Sequence, residues 1–468
     1  MAASKTRTEL LALLRLAGPL IASQLAHMLM VLTDTLMMAR LSPQALAGGG
    51  LGAACYTFVS IFCFGVIAAV GTLVANRHGA ADDAGAARLA RAGLWLGWML
   101  GVVGAVLLWN LGPLLLRLGQ TAENVAFAEQ FLLMLPLALP GAMTFMALRG
   151  FTSAVGKAGP VMVISLLAAG ANAVLNLALI DGWFGLPHLG LKGIGLVTAV
   201  VSTGMAATLA LYIGAAQAYH AYPLRAGLGR PDWASLAELW RLGLPIGGTY
   251  AVEIGLFAFA ALCMGTMGST QLAAHQIALQ VVSVAFMVPV GLSYAVTLRV
   301  SRHHGAGDLR QARRAGRVGI GFGALVMLCF SLLFWAAPEA VIGLFINAHD
   351  PAFTPVFTLA VQLLAVAAWF ELFDGTQTIA MGAIRGLKDS RLTFLIGLGC
   401  YWLIGAPIAW VLAFQAGWGP LGVWWGLAAG LACAASTLTL GFEWRVNRLR
   451  RAGAAAKTPA TPPSATAC

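Results

Sequence analysis

The chain has 468 residues, of which 60% are hydrophobic and only 10% charged, and its formal net charge is +11. Soluble domains carry about 25% charged residues, so the composition excludes an ordinary soluble enzyme, a disordered chain and a nucleic-acid binder. Where the positive charges sit then matters more than their sum.

A helix that crosses the hydrocarbon core needs about 20 mostly apolar residues. Twelve such spans are predicted, near residues 16–39, 45–75, 92–116, 126–148, 160–180, 189–216, 242–267, 272–298, 316–342, 356–384, 392–414 and 419–443. They are too long and continuous for membrane β-strands, which alternate over about 10 residues. The fold class expected is an all-α polytopic membrane protein. The first span follows a basic start (Lys5, Arg7, Arg15). It is too long for a cleavable signal and lacks a small-residue cleavage site, so it is expected to stay as a helix.

Lys and Arg fix the orientation. If the N-terminus is inside, 25 of the 28 fall in inner segments, Arg149 and Arg385 among them; only Arg40, Arg117 and Lys192 fall outside. The positive-inside rule predicts both termini in the cytoplasm. Trp109, Trp183, Trp240, Trp335, Trp418 and Trp444 stand at span ends, as an interfacial aromatic belt would. The seven cysteines form no C-x-x-C pair and read as small hydrophobic filler.

The two halves of the chain repeat. Arg15-Leu-Ala-Gly-Pro19 matches Arg241-Leu-Gly-Leu-Pro245, and Arg77-His78-Gly79-Ala80-Ala81-Asp82 matches His303-His304-Gly305-Ala306-Gly307-Asp308, both at an offset of 226. Met146-Ala-Leu-Arg149-Gly150 pairs with Met381-Gly-Ala-Ile-Arg385-Gly386 at an offset of 236, the extra residues falling near His349–Thr354. Each half holds six spans, so both enter from one side, as parallel repeats related by an axis along the membrane normal. The predicted division is an N-lobe at 1–216, a cytoplasmic linker at 217–238, a C-lobe at 239–447 and a disordered tail at 448–468. Two facing bundles are the architecture of alternating-access carriers.

Four acids lie inside spans: Asp34 in the first, Glu253 in the seventh, Glu371 and Asp374 in the tenth. A charge at the bilayer centre costs roughly 2.5–3.5 kcal/mol on insertion scales and marks ion or substrate pathways. No Lys or Arg is expected at similar depth, so a cation must come from outside. For Glu371 a position near the headgroups competes with that reading. Asn172 and Asn176 share a helix face in the fifth span; their amides suit Na⁺ or a protonated acid, or they bind helix to helix. Thr198 is a weaker candidate in the sixth span. His27 aligns with Glu253 under the repeat but reads better as a core histidine. Pro19 and Pro245 open the first helix of each lobe and are candidate bending points.

The chain has no G-x-x-x-x-G-K-[ST], H-E-x-x-H or G-x-S-x-G. Neither an ATP-driven engine nor an intramembrane enzyme is therefore expected, and no cofactor. His303-His304 lies in a basic inner loop and reads as solvated.

Several stretches together resemble the multidrug and toxic compound extrusion (MATE) family, its NorM branch in particular. They are Val31-Leu-Thr-Asp34-Thr-Leu-Met, Arg149-Gly150, Asn172-x-x-x-Asn176, Glu253-x-x-Leu256-Phe257, Ala273-Ala-His275-Gln276, and Asp374 followed by Gly382-x-x-Arg385-Gly386-x-Lys388-Asp389. The resemblance implies two pseudo-symmetric six-helix lobes around a V-shaped cleft. It implies an antiporter that exports cationic amphiphiles, drugs or dyes, in exchange for Na⁺ or H⁺; the Ala/Gly/Arg-rich usage points to a bacterial inner membrane, and a monomer is expected. It assigns Asp34, Asn172, Asn176 and Thr198 to an N-lobe cation site, and Glu253 and Asp374, with Na⁺ possible there, to a C-lobe site. Phe370 stands where the family often has a Tyr, and Glu371 is an added acid. A lipid-linked saccharide flippase would want basic residues deep in its cavity; a 6+6 nutrient permease would fit the hydropathy but not the motifs.

Overall fold

The computed structural model describes residues 2–182, 188–224, 229–346 and 353–455. Trp183, Arg225, Lys457 and the outer-loop residues 347–352 lie outside them. Twelve helices among the described residues are long and apolar enough to cross a membrane. In the N-terminal half they are α1 (Ala2–Leu41), α2 (Pro43–Gly79), α3 (Asp83–Trp109), α4 (Ala122–Ala154), α5 (Gly159–Asp181) and α6 (Gly190–Ala215). In the C-terminal half they are α7 (Trp233–Met267), α8 (Ser269–Gly305), α9 (Leu309–Ala336), α10 (Thr354–Gly386), α11 (Ser390–Gln415) and α12 (Gly419–Ala455). The described chain contains no strand.

Several helices outrun the predicted spans. The 37 residues of α2 reach about 55 Å at 1.5 Å per residue, against a hydrocarbon core of about 30 Å. Hydropathy marks only the part in lipid; a helix continues until something caps it. The tail expected from 448 is corrected accordingly: α12 continues to Ala455, and only 456–468 lie outside the described residues. Within the expected linker, α7 already begins at Trp233.

Caps obey the repeat. Asp82 accepts from the Gly85 amide at 2.8 Å to start α3, and Asp308 from the Gln311 amide at 2.9 Å to start α9. These short acids satisfy helix N–H groups that have no intrahelical partner. Asp232 caps α7; the Ser235 hydroxyl, 2.6 Å away, holds its carboxyl below the usual carboxylate range. Pro19 lies inside α1, which runs on without a break. A short 3₁₀ turn at Leu135–Leu137 interrupts α4 at Pro136, and π-helical turns at Gly399–Gly405 and Val411–Gln415 flank Pro407 in α11.

The halves meet at one end. A Cβ on Gly79 would run into the Arg302 carbonyl, and one on Gly305 into the Asn76 carbonyl. These two contacts exchange under the 226 offset, so they are twofold-related copies. Higher up, a Cβ on Gly65 would stand 2.6 Å from Gly247 Cα. Polar bonds reinforce the seam: Ser301 Oγ donates to the Thr72 carbonyl at 2.7 Å, and Asn76 Nδ2 to the Ser301 carbonyl at 3.3 Å. Arg299 forks onto the buried Glu9 carboxylate at 2.9 and 2.6 Å. Glu238 joins Arg77 and Lys388, each at 3.4 Å. All these contacts use the same half of the molecule, the half that carries the start of α1. Two lobes clasped at one end form a V.

Candidate functional site

Each lobe holds one ionisable cluster, half-buried at Asp34 in the N-lobe and buried in the C-lobe. In the N-lobe, Asp34 on α1 faces α5 and α6. Its Oδ1 accepts from Asn172 Nδ2 at 3.1 Å and Asn176 Nδ2 at 2.8 Å; its Oδ2 accepts from Thr198 Oγ1 at 2.9 Å. The asparagines meet one carboxylate oxygen because i and i+4 lie one above the other on a helix. Nearby hydroxyls do not compete, since Thr33 and Thr35 donate to carbonyls of their own helix at 2.9 and 3.0 Å. The four residues picked from sequence thus form a single constellation.

The amide oxygens of Asn172 and Asn176 are buried and have no hydrogen-bond partner among the described residues. Three donor groups reach Asp34, the single Thr198 hydroxyl proton being shared with the Ile194 carbonyl at 3.1 Å. Half-turns of the two amides would instead gather oxygens beside the carboxylate. Such a set suits a hard monovalent cation, and a single amide oxygen could take the proton of a neutral Asp34.

In the C-lobe, Glu253 on α7 and Asp374 on α10 are buried within electrostatic range of each other. Gln377 Nε2 donates to Asp374 Oδ1 at 2.9 Å, and Tyr401 on α11 donates to Gln377 Oε1 at 2.6 Å. Gln377 and Tyr401 were not picked out from the sequence. Gln377 was within reach of that reading, being i+3 from Asp374. Tyr401 was not, since only the packing of α11 brings it there. It sits in the π-helical turn, a feature that often re-aims side chains at functional sites.

Phe370 does not touch the acids through any polar atom. It packs between Phe257 and Trp424, with ring centroids 5.9 and 5.6 Å away. Glu371 is fully buried rather than near headgroups, and neither carboxyl oxygen has a partner among the described residues. His27 sets its ring edge-on to Phe64 at 6.2 Å. Among the described residues no three His, Cys, Asp or Glu gather as a metal site would require.

One expectation is corrected. Arg149 and Arg385, assigned by sequence to inner segments, are side chains of α4 and α10 and are buried, each 6% exposed. A guanidinium on a long stem reaches back into the bundle from near a helix end, and a linear reading places only the Cα.

The fold and these sites define a polytopic helical membrane protein of two pseudo-equivalent lobes, clasped at one end, with an ionisable cluster in each. The MatE family model matches residues 19–178 and 245–411. A protein of Pseudomonas putida named "Probable multidrug resistance protein NorM" is 72% identical over 94% of this chain and 96% of its own length. One of Pseudomonas aeruginosa with the same name is 64% identical over 95% of this chain and 91% of its own length. Among solved structures, the eukaryotic MATE transporter AtDTX14 superposes with a TM-score of 0.85 at 22% identity, covering 96% of this chain and 99% of that one. The chain belongs to the MatE family, a family of transporters.

Proposed function

We propose that this protein is a secondary active multidrug antiporter that exports cationic amphiphilic compounds in exchange for Na⁺ or H⁺. The observation that carries the reading is Asp34, held by three donors in an apolar lobe with two amide oxygens left free beside it. Such a carboxylate is costly at membrane depth unless it exchanges a cation. Cation entry favours one arrangement of the lobes, drug binding favours the other, and coupling is the difference in affinity between them. The names of the relatives at 64–72% identity support efflux of drugs. The basic bias supports both termini, and with them the clasped end, on the cytoplasmic side; on this reading the protein sits in a bacterial inner membrane with its cleft open outward. The buried Arg149 and Arg385 remove the argument that a flippase lacks deep basic residues; the relatives' names then carry the choice of drugs over lipid-linked saccharides.

The test is dye efflux in vesicles under separately imposed Na⁺ and pH gradients, with Asp34→Asn, Glu253→Gln and Asp374→Asn alongside. Loss of gradient-driven efflux is expected in Asp34→Asn and in at least one C-lobe variant. Normal efflux in all three would sink the mechanism.

A further inference from the structure

Two buried guanidiniums lie at the seam of the lobes, Arg149 against a C-lobe ring and Arg385 within electrostatic range of Glu253. Arg149 of the N-lobe donates through Nη1 to Gln24 Oε1 at 2.7 Å and stacks over the ring of Tyr294, a C-lobe residue, with its Cζ 5.0 Å from the centroid. Arg385 of the C-lobe donates through Nη1 to the Tyr250 hydroxyl at 3.0 Å and lies over that ring at 4.8 Å. The two arginines are equivalents under the repeat, and so are Gln24 and Tyr250, at the 226 offset. Tyr294 lies within electrostatic range of both guanidiniums and ties the two halves of the cluster together.

The charge of this cluster is unbalanced. Arg149 makes no ion pair among the described residues; its polar partners are an amide oxygen, a thioether and tyrosine. Among the described residues the acid in electrostatic range of Arg385 is Glu253, with no hydrogen bond between them; Tyr294 and Tyr401 are in range as well. Nη2 of Arg149 and Nε of Arg385 are buried without a hydrogen-bond partner among the described residues. A buried cation is ordinarily paired, and a guanidinium has five N–H groups to satisfy. The electron-rich ring faces offset part of the charge. Buried guanidinium N–H groups of this kind recognise an anionic acceptor.

We propose that Arg149 and Arg385 form an anion receptor at the seam of the lobes, taking one monovalent anion, either a free halide or the carboxylate of a bound organic molecule. The receptor spans both lobes, so its occupancy stabilises the clasped arrangement over the parted one.

The experiment uses the purified full-length protein in lipid nanodiscs, in buffer free of halide and carboxylate. Radiolabelled iodide probes the free-halide form, and radiolabelled benzoate the carboxylate form. Saturable binding of at least one probe to the wild-type is expected, weakened about tenfold or more by Arg149→Gln and by Arg385→Gln, with Arg149→Lys between. Binding of iodide alone assigns the receptor to free halide; binding of benzoate alone assigns it to carboxylates; mutual displacement assigns both to one site. No saturable binding of either probe to the wild-type overturns the proposal, whatever the variants do. So does binding that both glutamine variants retain in full.

Discussion

At the scale of single residues, the N-lobe site is a balance between a carboxylate and its donors. Each donor to Asp34 stabilises the ionised form, and hydrogen bonds to charged groups contribute roughly 1.5–3 kcal/mol. On the proposed mechanism, removing one should raise the affinity of Asp34 for the coupling cation. Thr198→Ala deletes the 2.9 Å bond to Oδ2 and leaves both asparagines in place. The expected outcome is a roughly tenfold lower cation concentration for half-maximal efflux, read from cation-activation curves in vesicles. A higher half-saturating concentration would mean that Thr198 ligates the cation rather than stabilising the empty carboxylate. The residue types and the i, i+4 spacing made this site legible in sequence. The C-lobe site was half legible: Glu253 and Asp374 stood out as acids in apolar runs, whereas Tyr401 is an aromatic among many. Its role depends on a hydroxyl 2.6 Å from Gln377, which no spacing announces.

At the scale of elements, proline explains most departures from a regular helix. The ring cannot donate to the carbonyl four residues back, so α4 tightens at Pro136 and α11 widens beside Pro407. In α1 the helix runs on through Pro19, as neighbouring helices permit in a membrane bundle; one turn on, Ser23 Oγ and Ser165 Oγ of α5 lie 2.7 Å apart. Pro19→Ala restores the missing hydrogen bond, and an interior proline is up to about 3 kcal/mol less favourable than alanine in a helix. The variant should melt no lower than wild-type while its transport rate falls several-fold, if bending at Pro19 is part of the cycle. Paired melting curves and efflux rates check this; wild-type rates would make Pro19 a static feature. The hydropathy pattern located every spanning helix. Their true ends were set by the capping residues and by packing outside the lipid, beyond what an apolar run records.

At the scale of the whole molecule, the two lobes are held together where glycine lets backbones touch. Gly79 against the Arg302 carbonyl and Gly305 against the Asn76 carbonyl are twofold-related. Beside them the fork of Arg299 on Glu9 is mostly shielded from water, the side chains being 19% and 7% exposed. Gly79→Val cannot be accommodated with the lobes clasped, because its clash is with backbone rather than with a side chain that could swing away. The distance distribution between spin labels on the exposed Arg88 and Arg310 should shift to longer values. An unchanged distribution would show that the lobes close without this contact. The number of spans, the repeat, the sorting of charge and the presence of acids within apolar runs are legible in the sequence alone, because all four are properties of composition along a line. Only the tertiary structure decided that the lobes are clasped at one end, that Tyr401 completes the C-lobe site, and that Arg149 and Arg385 turn inward. Those depend on which side chains of distant helices converge, and convergence is fixed by packing in three dimensions rather than by order in the chain.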